Sequence, residues 1–157
     1  NSKKTINFIK KIKPTISIIF GTGIIKEQLR RNLSKNTMNF HLGISPRYRG
    51  AATLFWPFYF LEPGYCGGTF HYLLDEPDYG DIIHQFVPKL SIKDGIHDVA
   101  CKVVKQSTKE TIKLLDIFKK KRKWKRFRQK STGKNFLVSD FMPQHLRLIY
   151  NVYNNNL

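Results

Sequence analysis

Apolar positions along this chain change spacing repeatedly, and each change marks an element. Thr5 to Lys13 sets Ile6 and Ile9 at helical spacing, and Pro14 ends the pattern. Thr15 to Phe20 is β-branched and apolar at nearly every position, as in a strand of a parallel sheet covered on both faces. A turn at Gly21-Thr22-Gly23 follows, and Ile24 to Asn32 resumes a helical pattern. Thr37 to His41, Gly68 to Leu74 and Asp81 to Val87 read as three further strands. Ala51 to Leu61 reads as a buried helix with aromatics all round, and Ile92 to about Lys120 as the longest helix, with Ile96, Val99, Val103, Leu114 and Phe118 on its apolar face. Arg122 to Asn135 is basic and turn-rich. A last amphipathic helix starts at Asp140 or Pro143 and ends near Tyr153, before an Asn-rich tail expected to fray. Strands alternating with helices predict an open α/β sheet with flanking helices. Ligands on such sheets sit beyond the carboxyl ends of strands, so the segments at Gly21, Asn39 to His41 and Asp75 to Asp81 are expected to converge on one crevice.

Composition narrows the class. The chain has 157 residues, the length of one domain, and 41% hydrophobic residues, with twelve Phe and seven Tyr to fill a core. No apolar run reaches the ~20 residues of a membrane-spanning helix, and the first 13 residues mix five Lys with isolated apolar positions, unlike a signal peptide. Cys66 and Cys101 lack metal-ligand spacing and read as buried free thiols of a cytoplasmic protein. The net charge of +17 attracts anions, whether nucleic acid, acidic membrane surface or phosphorylated small molecules. The charge is uneven. Between Lys113 and Lys134 the only acid is Asp116, whereas Ala51 to Pro88 holds Glu62, Asp75, Glu76, Asp78 and Asp81 with no Lys or Arg. The segment richest in candidate chemistry is therefore locally acidic within a basic chain.

That chemistry begins with Asn39 and His41. On an extended segment residues two apart point to one side, so an amide donor and an imidazole can face one reactant. The amide suits a developing oxyanion and the imidazole suits proton transfer near neutral pH. Asp78 lies in Pro77-Asp78-Tyr79-Gly80, which read alone is good turn chemistry. Taken in order, Phe20-Gly21-Thr22-Gly23-Ile24, Asn39-Phe40-His41-Leu42-Gly43-Ile44-Ser45-Pro46-Arg47-Tyr48-Arg49-Gly50, Gly68-Thr69-Phe70-His71 and Leu73-Leu74-Asp75-Glu76-Pro77-Asp78-Tyr79-Gly80-Asp81 resemble the folate-dependent formyltransferases. That family includes methionyl-tRNA formyltransferase, phosphoribosylglycinamide formyltransferase and the sugar-nucleotide N-formyltransferases. The resemblance covers about Lys13 to Gln85, and more loosely the helix after it and the Gly133 and Pro143 segments.

The resemblance implies a Rossmann-like fold and a catalytic set of Asn39, His41 and Asp78. The formyl donor would be 10-formyltetrahydrofolate and the acceptor a primary amine, whose attack on the formyl carbon gives a tetrahedral oxyanion. Asn39 and a protonated His41 would stabilise that oxyanion, and a nearby Asp78 would favour the imidazolium and help take the amine proton. Phe20, Gly21, Gly23, Asp75, Gly80 and Asp81 would border the folate. Arg47, Arg49 and Gly50 would meet a phosphorylated or nucleotide-linked acceptor, or Arg49-Gly50 would brace the loop. His71 and His84 read as structural, and no metal ligand set is implied. Relatives carry strands and helices ahead of the strand at Thr15, where this chain has about 14 residues and opens on Asn1, so the chain reads as an N-terminally truncated member. Residues 1–120 are expected to form the catalytic domain and 121–157 a basic extension. His41-Leu42-Gly43-Ile44-Ser45-Pro46 followed by the Phe55-Trp56-Pro57 run looks more like the carbohydrate-directed members of that family, which implies a nucleotide-linked amino sugar as acceptor. Lys119 to Arg128, with Trp124 and Phe127 as base-stacking rings, would suit a tRNA enzyme, or a helix end complementing its dipole. A third alternative is an inactive basic binding fragment of the fold.

Overall fold

A computed structural model describes residues 1–130 and 133–153. The four-stranded sheet has the order β1-β2-β4-β5. Its strands are β1 (Ser17–Phe20), β2 (Thr37–His41), β4 (Gly68–Tyr72) and β5 (Ile82–Phe86). A second, two-stranded sheet pairs β3 (Tyr48–Gly50) with β6 (Lys134–Phe136). The helices are α1 (Lys3–Ile12), α2 (Glu27–Arg30), α3 (Trp56–Tyr59), α4 (Ile96–Lys121) and α5 (Pro143–Tyr153). The expected α/β architecture is present, and the Asn-rich stretch from Asn154 lies outside the described residues.

The sheet is mixed rather than parallel. β1 and β2 run parallel, but β4 is antiparallel to both β2 and β5. Nor is β1 covered on both faces: Ile19 is buried, while Ile18 and Phe20 are 45% and 48% exposed. A run of β-branched residues reports strand preference, and that preference holds whether or not a neighbour covers the strand. The helix expected over Ala51–Leu61 shrinks to one turn, because Pro57 fits only the first turn of a helix. Trp56, Pro57 and Phe58 of that turn are buried.

α4 follows its pattern closely. Val99, Val103, Ser107, Glu110, Leu114 and Phe118 recur every three or four residues and form its buried stripe. Gly95 N–H bonds Asp98 Oδ2 at 3.0 Å, and three lysines occupy the last turn, each placed to suit the helix dipole. Cys66 is buried and free, as expected, but Cys101 falls on the exposed face of α4.

The segment after α4 does not form an extension beside the domain. Trp124, Phe136 and Ile149 join the same core cluster as Met38, Phe70 and Val99. Phe127 exchanges backbone hydrogen bonds with Ile82 at 2.8 and 2.9 Å, and Tyr153 donates its hydroxyl to Phe58 O at 3.1 Å. The boundary expected at residue 120 follows composition, and the packing crosses it. Charge on a segment says nothing of the apolar residues spaced between the charges.

Candidate active site

The antiparallel β2–β4 pair sets Asn39 directly opposite His71. His41, two residues along β2, faces the same side. The loop between β4 and β5 folds back over these residues and brings Asp78 to all of them. Asp78 adopts φ 53°, a left-handed conformation that aspartate tolerates better than most residues.

Its carboxylate is shared. Oδ1 accepts from Asn39 Nδ2 at 3.3 Å and lies 3.4 Å from His71 Nε2. Oδ2 accepts from Gly50 N–H at 3.1 Å and lies 3.2 Å from His41 Nδ1. The other nitrogen of His41, Nε2, lies 2.9 Å from Tyr48 O. His71 Nδ1 donates to Tyr72 O at 2.9 Å, and its Nε2 lies 3.1 Å from Asn39 Nδ2. His71 is thus part of the arrangement, against the expectation that it is structural. The signal that could have found it is the cross-strand pairing with Asn39, which a single sequence does not display.

Electrostatics correct a second expectation. Burial pushes the His41 imidazole below its ordinary value of 6.5. The Asp78 carboxylate and the Tyr48 carbonyl pull it upward, and His71 and Arg49 add to the downward side. His41 is therefore neutral at pH 7, not the imidazolium that a neighbouring carboxylate alone would favour. A neutral ring carries one N–H, yet both of its nitrogens face acceptors. One of the two contacts therefore lacks a proton while the ring is neutral. Burial also pulls the Asp78 carboxyl upward, but His71, His41 and the Gly50 N–H outweigh it and hold the group below 3.8.

These directions fix a pH dependence. Both groups have folded values below their unfolded ones, so the unfolded chain binds more protons and stability rises with pH. For His41 the loss begins as pH falls through about 6.5 and continues to its lower folded value. For Asp78 it begins near 3.8. We expect denaturant midpoints to fall between pH 7.5 and pH 5, with a slope of up to about 1.4 kcal/mol per pH unit, and His41→Gln to flatten that segment. An unchanged slope in His41→Gln would assign the acid sensitivity elsewhere.

Two cavities meet at this cluster. The larger, about 600 Å³, is lined by Phe20, Gly21, Thr22, Asn39, His41, Leu42, Gly50, Leu54, Phe55, Asp78, Ile96, His97, Ala100, Phe141 and Leu146 among others, with no Lys or Arg among the described residues. The smaller, about 160 Å³, is lined by Ile19, Thr22 to Ile25, Asn39, His71 and Leu73 to Asp78. Asn39 and Asp78 border both. The smaller one is walled by two loops, with apolar side chains (Ile19, Ile24, Ile25, Leu73 and Leu74) alongside the polar ones of Asn39, His71, Asp75, Glu76 and Asp78. That set suits a flat heteroaromatic ring recognised by backbone groups.

The remaining expected residues divide. Phe20 and Gly21 border the larger cavity, and Gly23 and Asp75 the smaller, although the Asp75 carboxylate pairs with Arg30. Gly80 and Asp81 border neither. A Cβ on Gly80 would lie 1.7 Å from Tyr72 O, so its glycine permits close backbone packing behind the loop. Asp81 faces Arg126 at 3.6 Å. Gly50 supplies its N–H to Asp78. Arg47 lies away from both cavities, bonded to Glu62 and with its guanidinium 4.9 Å from the Tyr65 ring. Arg49 is buried and spans the two loops, with Nη1 on Glu76 Oε1 at 3.1 Å, Nη2 on Gly133 O at 3.2 Å and its guanidinium 4.7 Å from the Tyr79 ring. Both arginines are paired within the chain, which favours the bracing role for Arg49, although its buried Nε has no partner among the described residues. Thr69 and Gln85 brace the Ser45 end of the loop: Thr69 Oγ1 donates to Gly43 O at 2.6 Å and Gln85 Nε2 to Ser45 O at 2.7 Å.

Comparison with known proteins agrees with this architecture. No protein-family model matches the chain. It is 30% identical over 95 residues to the bifunctional polymyxin resistance protein ArnA of Wigglesworthia glossinidia brevipalpis, covering 60% of this chain and 14% of that protein. It is 28% identical over 118 residues to the methionyl-tRNA formyltransferase of Clostridioides difficile (strain 630), covering 73% and 38%. The fold superposes on a 4-N formyltransferase from Francisella tularensis with a TM-score of 0.75 at 22% identity, covering 96% of this chain and 64% of that one. It also superposes on WlaRD, a sugar 3N-formyl transferase, with a TM-score of 0.67 at 25% identity, covering 81% and 45%. The architecture is that of a formyltransferase domain. The chain spans well under half the length of the two curated relatives it matches.

Proposed function

We propose that this chain carries the reacting segment of an enzyme that moves a formyl group from 10-formyltetrahydrofolate to a primary amine on a nucleotide-linked amino sugar. The observation that carries the reading is the position of Asn39 and Asp78 at the junction of two cavities, with His41 held between Asp78 and Tyr48 O. A group-transfer site needs donor and acceptor on opposite sides of one polar cluster. The smaller cavity would take the pterin end of the folate, and Thr22 to Ile25 and Leu73 to Asp78 would hold it. When bound, the folate supplies the activated formyl group. An N–H of Asn39, released from its contact with His71 or Asp78, would meet charge developing on the formyl oxygen. The His41–Asp78 pair, one proton short at rest, would receive the proton that the amine sheds, with Tyr48 O and Asp78 Oδ2 both accepting from the ring, and would return it to the leaving folate nitrogen as its bond to the formyl carbon breaks.

The larger cavity favours the sugar acceptor, because its lining is mostly apolar and uncharged. WlaRD, at 25% identity, was determined with dTDP and 5-N-formyl-THF. A tRNA acceptor is the second reading. It is favoured by the exposure of all nine Lys and Arg residues between Lys119 and Lys130. Trp124, however, is buried and takes no part in base stacking.

The test is direct. The full chain is incubated with 10-formyltetrahydrofolate and either a panel of nucleotide-linked 3- and 4-amino sugars or charged initiator tRNA, and formamide formation is read by mass spectrometry. Formylation of an amino sugar supports the first reading and of tRNA the second. Formylation of neither rejects transfer by this chain.

A further inference from the structure

The loop that carries Asp78 has little regular structure of its own. It lies between β4 and β5, and Asp78 holds a left-handed backbone there. What fixes it comes from a segment distant in sequence. Gln129, 5% exposed, lies in the return segment after α4 and borders neither cavity. Its Nε2 donates to Asp78 O at 2.9 Å and to Gly80 O at 2.8 Å. The two carbonyls use both amide hydrogens. A flipped amide would set Oε1 against two carbonyl oxygens, so the contacts themselves fix its orientation. They also leave Oε1 buried without a partner among the described residues. A buried amide that satisfies two backbone acceptors at the expense of its own oxygen is placed for those acceptors.

The segment bearing Gln129 is itself anchored. Trp124 is in the core, with Nε1 donating to Leu114 O at 2.7 Å, and Phe127 is paired with Ile82. Gln129 therefore links a fixed part of the body to the backbone on both sides of Tyr79.

We propose that Gln129 is a positioning residue: its amide sets the Asp78–Gly80 backbone so that the Asp78 carboxylate reaches His41, His71 and Gly50 N–H together. The importance of this for catalysis rests on the function proposed above, but the positioning itself does not. Gln129→Leu keeps the bulk and removes both donors. Gln129→Glu keeps the shape and sets a carboxylate against two carbonyls at neutral pH.

The experiment combines NMR titration of the His41 ring in the full chain with formyl-transfer kinetics. The charged or titratable groups facing His41 are Asp78, His71 and Arg49, and Tyr48 adds its carbonyl. Among these, Asp78 pulls the ring upward and is the one whose backbone Gln129 holds. In Gln129→Leu the His41 midpoint should move down, as it should in Asp78→Asn, while that of His97 on α4 stays in place. In the same variant kcat should fall by about 10²-fold. KM for the acceptor should stay within about threefold. Gln129→Glu should regain rate relative to wild type as pH is lowered, because a protonated carboxyl can donate to one of the carbonyls. A folded Gln129→Leu with an unchanged His41 midpoint overturns the proposal. Should that variant fail to fold, Gln129→Asn, which keeps the amide but shortens its reach, is read in the same way. If wild type shows no transfer while the His41 midpoint still moves, the positioning role stands and the proposed activity falls.

Discussion

On the proposed function, Asp78→Asn should lower formyl transfer by about 10²- to 10⁴-fold while leaving the chain folded. The substitution preserves size, and the asparagine oxygen can still accept from Gly50 N–H, so the loop retains a reason to sit where it does. What changes is the proton inventory. The carboxylate is an acceptor at both oxygens and receives Asn39, Gly50 and one nitrogen of His41. An amide in its place brings two hydrogens into a cluster arranged around acceptors. If its oxygen remains on Gly50, its NH2 meets the Asn39 NH2, donor against donor, and the Asn39 amide is displaced from its orientation. His41 also loses the carboxylate that opposes its desolvation, so its proton affinity falls further and it accepts the amine proton less readily. Both effects act on the reacting step and predict a loss in kcat rather than a rise in KM. The checks are steady-state kinetics with the preferred acceptor and thermal unfolding of the same sample. A variant that retains wild-type kcat would remove Asp78 from the chemistry, whatever its contacts.

The sequence reveals some of this site for definite reasons. Asn39 and His41 are legible because strand periodicity puts residues two apart on one side. Asp78 is legible because an ordered set of motifs singles it out from an ordinary turn. His71 and Gln129 are not legible, because their roles depend on which strand lies beside β2 and which segment returns behind the β4–β5 loop. Strand order is non-local, and here the chain places β4, not β3, next to β2. The protonation state of His41 is missed for a related reason. Proximity to a carboxylate can be guessed from motifs, but the depth of burial that outweighs it is a property of the packed whole. The guanidiniums of Arg47 and Arg49 mislead in the opposite direction. Each has chemistry suited to a phosphate, and each is already engaged by a glutamate.

Trp124→Ala should destabilise the chain by about 3–5 kcal/mol. Within Lys119 to Arg128 this tryptophan looks like a ring displayed for base stacking. Its environment is instead that of a core residue. It is 3% exposed, its ring centroid lies 4.7 Å from that of Phe118 and 6.2 Å from that of Tyr72, and its Nε1 satisfies Leu114 O within α4. Removing the indole leaves a cavity between α4 and β4 and withdraws the donor from a buried carbonyl. Against a total stability of about 5–15 kcal/mol, such a loss lowers the thermal midpoint by roughly 10 °C or more. The neighbouring Phe127 supplies the control, because its side chain is 54% exposed and its contribution is made through the backbone pair with Ile82. Phe127→Ala should change stability by no more than about 0.5 kcal/mol. If the basic segment were a separate appendage, the two variants would unfold alike. A large difference between them, read as thermal or denaturant midpoints, would establish that the segment after α4 folds as part of the domain. The Trp124 anchor that Gln129 depends on would then be a stability determinant in its own right.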